Sequence, residues 1–305
     1  MILSIFTYLS VVIFAAVVIY RFIKVASTPV HLRWDLYPVP HEGFKKAKYG
    51  GSYYEELDWW MKKRRVSKAS ELSVMIPEIL FLKGVWESNK GLWFWSWAFH
   101  FGLYLAILTV VLIFSSVVFG TASSFGSLLA GTGARVSMAA YILGVIGCLG
   151  MLVKRLTDSK LKPFTAASAI FNLLFILAIF ATGLAAILKI GQNEMFAQFQ
   201  QYASGLIYFE SGAAMETIVA WHITITLLFM VYMPFTHMSH FVLKWFTYHH
   251  IRWNDEPNTK GSKLEKEIIE CLNMKPTWAA RHIRADGKKT WVDIATDEVF
   301  KDEKK

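Results

Sequence analysis

The stretch Trp221–Phe241, WHITITLLFMVYMPFTHMSHF, governs how the rest of the chain is read. It is apolar enough to lie in a bilayer, yet it carries His222, His237 and His240. His222 and His240 are 18 residues apart. At 3.6 residues per turn that is about five whole turns, so a continuous helix puts both imidazoles on one face, roughly 27 Å apart along the axis. This is about the thickness of a bilayer's hydrocarbon core. Such a helix suits a protein that holds metal centres at two depths and moves electrons between them.

The whole chain supports a membrane setting. Of its 305 residues 54% are hydrophobic, and the mean hydropathy is +0.37. Apolar runs predict spans at about Ile2–Tyr20, Leu92–Gly120, Val136–Val153, Phe164–Leu188 and Thr217–Leu243. Each reaches the roughly 18–20 residues a spanning helix needs. The first run lacks a basic leading region and a small-residue cleavage site, and Arg21 and Lys24 follow it directly. It therefore reads as a retained helix rather than a signal peptide.

Charge gives orientation. Of the 32 basic residues, 13 fall between Arg21 and Lys90, 4 between Lys154 and Lys162, and 13 from Lys244 onward. The other two loops, near 121–134 and 191–216, are nearly free of positive charge. The positive-inside rule then predicts five crossings, with the N-terminus outside and the C-terminus cytoplasmic. The net charge of +9 is thus a topology signal and not a nucleic-acid footprint.

The expected fold class is an all-α membrane protein with five transmembrane helices in a haem-binding bundle. Residues 1–248 form that domain, with a cytoplasmic loop at about 25–91, and residues 249–305 form a cytoplasmic tail. In the loop, Tyr53–Arg65 predicts a short surface helix, and a second helical stretch opens at Ile76-Pro77-Glu78 and runs to about Trp86. Trp93, Trp95 and Trp97 read as an aromatic belt at headgroup level. In the tail, Lys263–Leu272 has helical spacing, and Asp286-Gly287 signals a hairpin.

Ionisable residues inside membrane helices are costly and usually functional. Here they are almost all histidines. His100 lies about eight residues into the second span, and His240 lies a similar distance from the cytoplasmic end of the fifth. Antiparallel helices bring the two to one depth, which suits two axial ligands of one low-spin haem. The competing reading is a hydrogen-bonded core histidine in each helix. His237 competes with His240 from one turn away, or hydrogen-bonds a haem propionate, and Pro234 disturbs the helix before both. His249 and His250 read as interfacial residues, and His31, His41 and His282 as loop histidines. The two cysteines, Cys148 and Cys271, form no CxxC or CxxCH motif. A haem here is therefore non-covalent, and no iron–sulfur cluster is held by this chain alone.

On these residues the chain resembles the gamma subunit of respiratory nitrate reductases. It looks closer still to the cytochrome b subunits of heterodisulfide-reductase-like complexes. The matching elements are Ala98-Phe99-His100, Trp221-His222, Met233-Pro234-Phe235-Thr236 and His240, over roughly 92–245, with a weaker match near Val25–Val30. The resemblance implies two haems b, each held by one histidine of the second span and one of the fifth. His100 and His240 would ligate the inner haem. His222 would ligate the outer haem, but its expected partner, ten residues after His100, is Val110. Three roles for His222 stay open: ligand with an unusual partner, such as Met138 or a group from another subunit, polar contact to a quinone, or satisfied core histidine. Glu216 is either an outer-side proton acceptor or a helix N-terminal acid.

The function expected is a haem b membrane anchor in the inner membrane, passing electrons between membrane quinone and a cytoplasmic iron–sulfur partner in a hetero-oligomeric complex. The alternatives are a membrane di-iron oxygenase or desaturase, suggested by His237-x-x-His240 and His249-His250, and a non-redox membrane anchor.

Overall fold

The computed structural model describes residues 1–27, 39–43, 52–210, 214–278, 283 and 285–297. His31 and His282 lie outside the described residues. Within them the chain is helical and contains no strand. The chain forms two compact units. The first comprises Met1–Val17 and Leu72–His237, and the second Val18–Glu71 and Met238–Lys305.

Helix α1 is Ile2–Ala26, α2 Lys68–Leu80, α3 Lys83–Ser88, α4 Lys90–Val118, α5 Ser124–Thr157, α6 Ala167–Ile190, α7 Gln192–Ile207, α8 Thr217–Tyr232, α9 His240–Phe246, α10 Lys263–Leu272 and α11 Trp291–Thr296. Five helical stretches are long and apolar enough to cross a membrane: α1, α4, α5, α6 and 217–235. The chain is accordingly an all-α, multi-pass membrane protein.

In the first unit, α5 packs along α4 through small residues. A Cβ on Gly147 would lie 2.3 Å from the backbone nitrogen of Phe99, so only glycine permits this backbone approach. Gly102 meets Gly144 the same way, at 2.7 Å from its nitrogen. Lipid offers no hydrophobic drive between helices, so close van der Waals contact must supply the attraction. A larger side chain at Gly147 would have to separate the two helices.

The fifth span corrects the expectation of one continuous helix over Thr217–Leu243. Pro234 has no N–H, and its ring clashes with the carbonyl four residues back. α8 therefore stops at Tyr232, 3₁₀ turns follow at Met233–Phe235 and His237–Ser239, and Thr236 between them is extended. A new helix begins at His240. The five-turn arithmetic between His222 and His240 does not apply to this backbone.

Other departures are smaller. Helix α5 begins at Ser124, twelve residues before the run expected from Val136, capped by the Ser123 hydroxyl accepting from Gly126 N–H. The presumed loop 191–216 contains α7, which buries Met195, Phe196, Phe199, Ala203 and Leu206 on one face. The expected surface helix at 53–65 is only two 3₁₀ turns, Tyr53–Glu55 and Trp59–Met61. In the tail, Gly287 makes the expected turn at φ +76°, where glycine is favoured, but leads into α11 rather than a strand. α10 matches the expected Lys263–Leu272.

Candidate functional site

His222 ties three helices of the first unit together. It is 6% exposed. Its Nε2 is 3.1 Å from the Tyr141 hydroxyl of α5. Its Nδ1 is 3.1 Å from the Ile179 carbonyl and 3.1 Å from Thr182 Oγ1, both on α6. One tautomer satisfies all three: Nδ1–H donates toward α6, and Nε2 accepts from Tyr141. Gly183 makes this possible, because a Cβ there would lie 2.6 Å from the Tyr141 ring. Phe199 of α7 covers the imidazole at 5.8 Å between ring centroids.

This arrangement bears on a second, outer iron centre. Both His222 nitrogens are engaged by protein groups, so neither presents a lone pair to a metal. Val110 has no donor and is 52% exposed. Met138, the other ligand considered, is also on the exposed surface. The residues at this level do not fit an axially ligated haem. Glu216, at the start of α8, pairs with Lys189 at 2.7 Å.

His100 has a different environment. Its Nδ1 lies 2.7 Å from the carbonyl of Ser96, one turn earlier in α4. Donation to that carbonyl keeps the proton on Nδ1 and puts the lone pair on Nε2. This is the tautomer that metal-bound histidines adopt, with the second ring nitrogen held by a backbone acceptor. The residues around His100 therefore fit a haem ligand. On the same stretch of α4, Trp93, Trp97 and Phe101 stack at one-turn intervals, with centroid separations of 6.1 and 5.1 Å.

His240 and His237 are both exposed. The residue before His240, Ser239, is buried and accepts a hydrogen bond from the Arg21 guanidinium at the end of α1. Phe22 packs edge-on against Phe246 at 4.9 Å, holding α9 in the second unit. His100, His222 and His237 belong to the first unit, and His240 to the second.

Sequence reasoning missed two histidines of the second unit. His41, expected as an ordinary loop residue, is only 4% exposed. Its Nε2 lies 2.8 Å from Asp255 Oδ1, and its Nδ1 lies 3.7 Å from Glu71. Arg64 also pairs with Asp255, whose side chain is 0% exposed. No local pattern announces this cluster, since its members span residues 41 to 255. His249 sits in a π-helical turn, Thr247–Arg252, and stacks on Trp245 at 3.7 Å. Its Nδ1 lies 3.0 Å from the Trp245 carbonyl, while Nε2 is shielded and has no hydrogen-bond partner. The signal that could have found it is the Trp245–His249 spacing, one helical turn. Among the described residues, no cluster of three or more His, Cys, Asp or Glu is arranged to hold a metal ion.

The profile of the nitrate reductase gamma subunit family matches residues 85–254, more than half of the chain. No curated protein and no solved structure matches it. The matched region takes in His100, Pro234 and His240 together with the four apolar helical stretches that follow α3. The chain therefore belongs to the nitrate reductase gamma subunit family, a family of membrane cytochrome b electron-transfer subunits of multi-subunit complexes.

Proposed function

We propose that this chain holds one b-type haem, ligated by His100 and His240, and passes electrons between membrane quinone and an iron–sulfur partner subunit. The observation that carries the proposal is the anchored His100 imidazole, with Nδ1 held 2.7 Å from the Ser96 carbonyl inside the family-matched region. His240 enters from sequence, at the family's spacing after Trp221-His222. When bound, haem supplies reversible one-electron storage at a potential set by its axial ligands and burial. The chain's own residues fix the ligand tautomer, exclude water and position the His240 segment through Arg21 and Ser239.

The outer histidine has a structural role in this reading. His222 joins α5, α6 and α8 through Tyr141, Thr182 and Ile179. The topology is N-terminus outside and C-terminus cytoplasmic, in the inner membrane, on the charge asymmetry of the loops. The partner is an iron–sulfur subunit of the heterodisulfide-reductase type, docked on the basic face formed by the first loop and the tail. A partner is required because this sequence has no CxxC cluster motif to carry electrons onward.

Reduced-minus-oxidised spectra of the purified protein test this reading. A b-type α-band at one haem per chain is expected, abolished by His100→Ala and His240→Ala and retained by His222→Ala. An unchanged spectrum in His100→Ala would overturn it.

A further inference from the structure

Trp97 carries an indole N–H that is shielded from solvent and has no hydrogen-bond partner. Trp93, one turn earlier in the same aromatic stack, donates its N–H to the Phe81 carbonyl at 2.7 Å. Tryptophans buried in proteins usually find an acceptor. An unsatisfied buried donor is costly, so this one calls for an acceptor that the described residues do not supply.

Position narrows the acceptor. Trp97 is three residues before His100 in α4, so the two side chains lie on adjacent positions of one helix face. It is displaced from His100 by roughly 4.5 Å along the axis. The displacement is toward Lys90, the basic end of the helix. The propionate carboxylates of a haem held by His100 would be best tolerated toward this basic end, where their charge meets water and cations. A carboxylate is acceptor-only when ionised, and hydrogen bonds to charged groups are the stronger kind.

We propose that Trp97 Nε1–H donates a hydrogen bond to a propionate of the haem ligated by His100, and so orients the haem and raises its reduction potential. The inference rests on the haem assignment made above. The sign follows from electrostatics. Donation spreads the propionate's negative charge and reduces its preference for ferric iron. Losing the donor stabilises the oxidised form and lowers the potential.

The test uses the full-length protein carrying haem. Trp97→Phe keeps an aromatic ring between Trp93 and Phe101 and removes the N–H together with the rest of the pyrrole ring. Haem content should stay at the wild-type level while the reduction equilibrium constant falls about two- to fivefold, a fraction of one charge-assisted hydrogen bond. Resonance Raman spectra should show the propionate bending mode shifted in the variant. Equal potentials and equal propionate modes in the two proteins would overturn the inference while leaving the haem assignment intact. Should Trp97→Phe fail to retain haem, wild-type protein reconstituted with haem dimethyl ester provides the second measurement. Ultraviolet resonance Raman should then show a weaker indole hydrogen bond than with native haem, and an unchanged indole signal would overturn the inference. Loss of haem in wild-type protein, by contrast, would sink the haem assignment itself.

Discussion

His222 and His41 are almost equally hidden, at 6% and 4% exposure, but they are made tolerable by opposite means. In the first unit, His222 is surrounded by neutral groups: a phenol, a threonine hydroxyl and a backbone carbonyl. In the second unit, His41 sits among charges: Asp255, Glu71 and the Arg64 guanidinium. A polar group buried in hydrocarbon needs hydrogen bonds, and one tautomer of imidazole can satisfy three neutral neighbours at once. The second unit instead carries full charges in its interior. There a buried carboxylate is held only if cations surround it. An intramembrane histidine is therefore not by that fact a metal ligand, because a complete set of protein partners is an equally good reason for its presence.

The comparison can be broken from the charged side first. Replacing Asp255 by Ala removes the carboxylate that both His41 and Arg64 face. Removing one member of a buried ion pair typically costs about 3–5 kcal/mol. The Arg64 contact is partly open, with its side chain 30% exposed, which puts the expected loss near the lower end. Proteolysis of the second unit should accelerate sharply in Asp255→Ala. If the second unit resists protease as well as wild type, the charged cluster is not what holds it.

Next comes the neutral knot. Tyr141→Phe removes one hydrogen bond to His222 and leaves Nε2 unsatisfied, at about 1–3 kcal/mol. Thermal unfolding in detergent should show the loss, with haem stoichiometry unchanged at one per chain. A drop in haem content instead would mean that His222 touches a cofactor and that the contrast with His100 is wrong.

The smallest effect lies in the tail. Asp293 accepts from the Thr290 N–H at 2.8 Å in a capping box, and its carboxyl is held below the ordinary value of 3.8 chiefly by that backbone bond. A carboxyl depressed in the folded state contributes stability above its unfolded pKa and loses it as pH falls through the folded value. α11 should therefore fray only below about pH 3.8, and less steeply in Asp293→Asn, as NMR amide shifts across 291–296 would report. A wild-type transition well above that pH would assign the helix end to another group.

Much of the molecule was legible from local chemistry. The spans beginning near residues 2, 92 and 164 were placed within a few residues, because a spanning helix is specified by a sum of apolar side chains along a short stretch. α10 was legible for a related reason, since its charged and apolar residues alternate with helical period. α7 was missed because its polar glutamines lower the mean hydropathy. Yet Met195, Phe199 and Ala203 recur every four residues and mark a buried face. Pro234 was recognised as a disturbance, but not as the point at which α8 ends and 3₁₀ turns take over.

What the sequence determined by itself is the membrane class, the five apolar stretches and the family. Those depend on composition, charge count and spacing along the chain. Only the tertiary structure decided that His222 meets Tyr141 and Thr182, residues 81 and 40 positions away. It alone gathered His41, Arg64, Glu71 and Asp255, and it alone left the Trp97 N–H without an acceptor among the described residues. The reason is physical. Hydrophobicity adds up locally along a helix, whereas a hydrogen-bond partner is whatever another helix brings within about 3 Å.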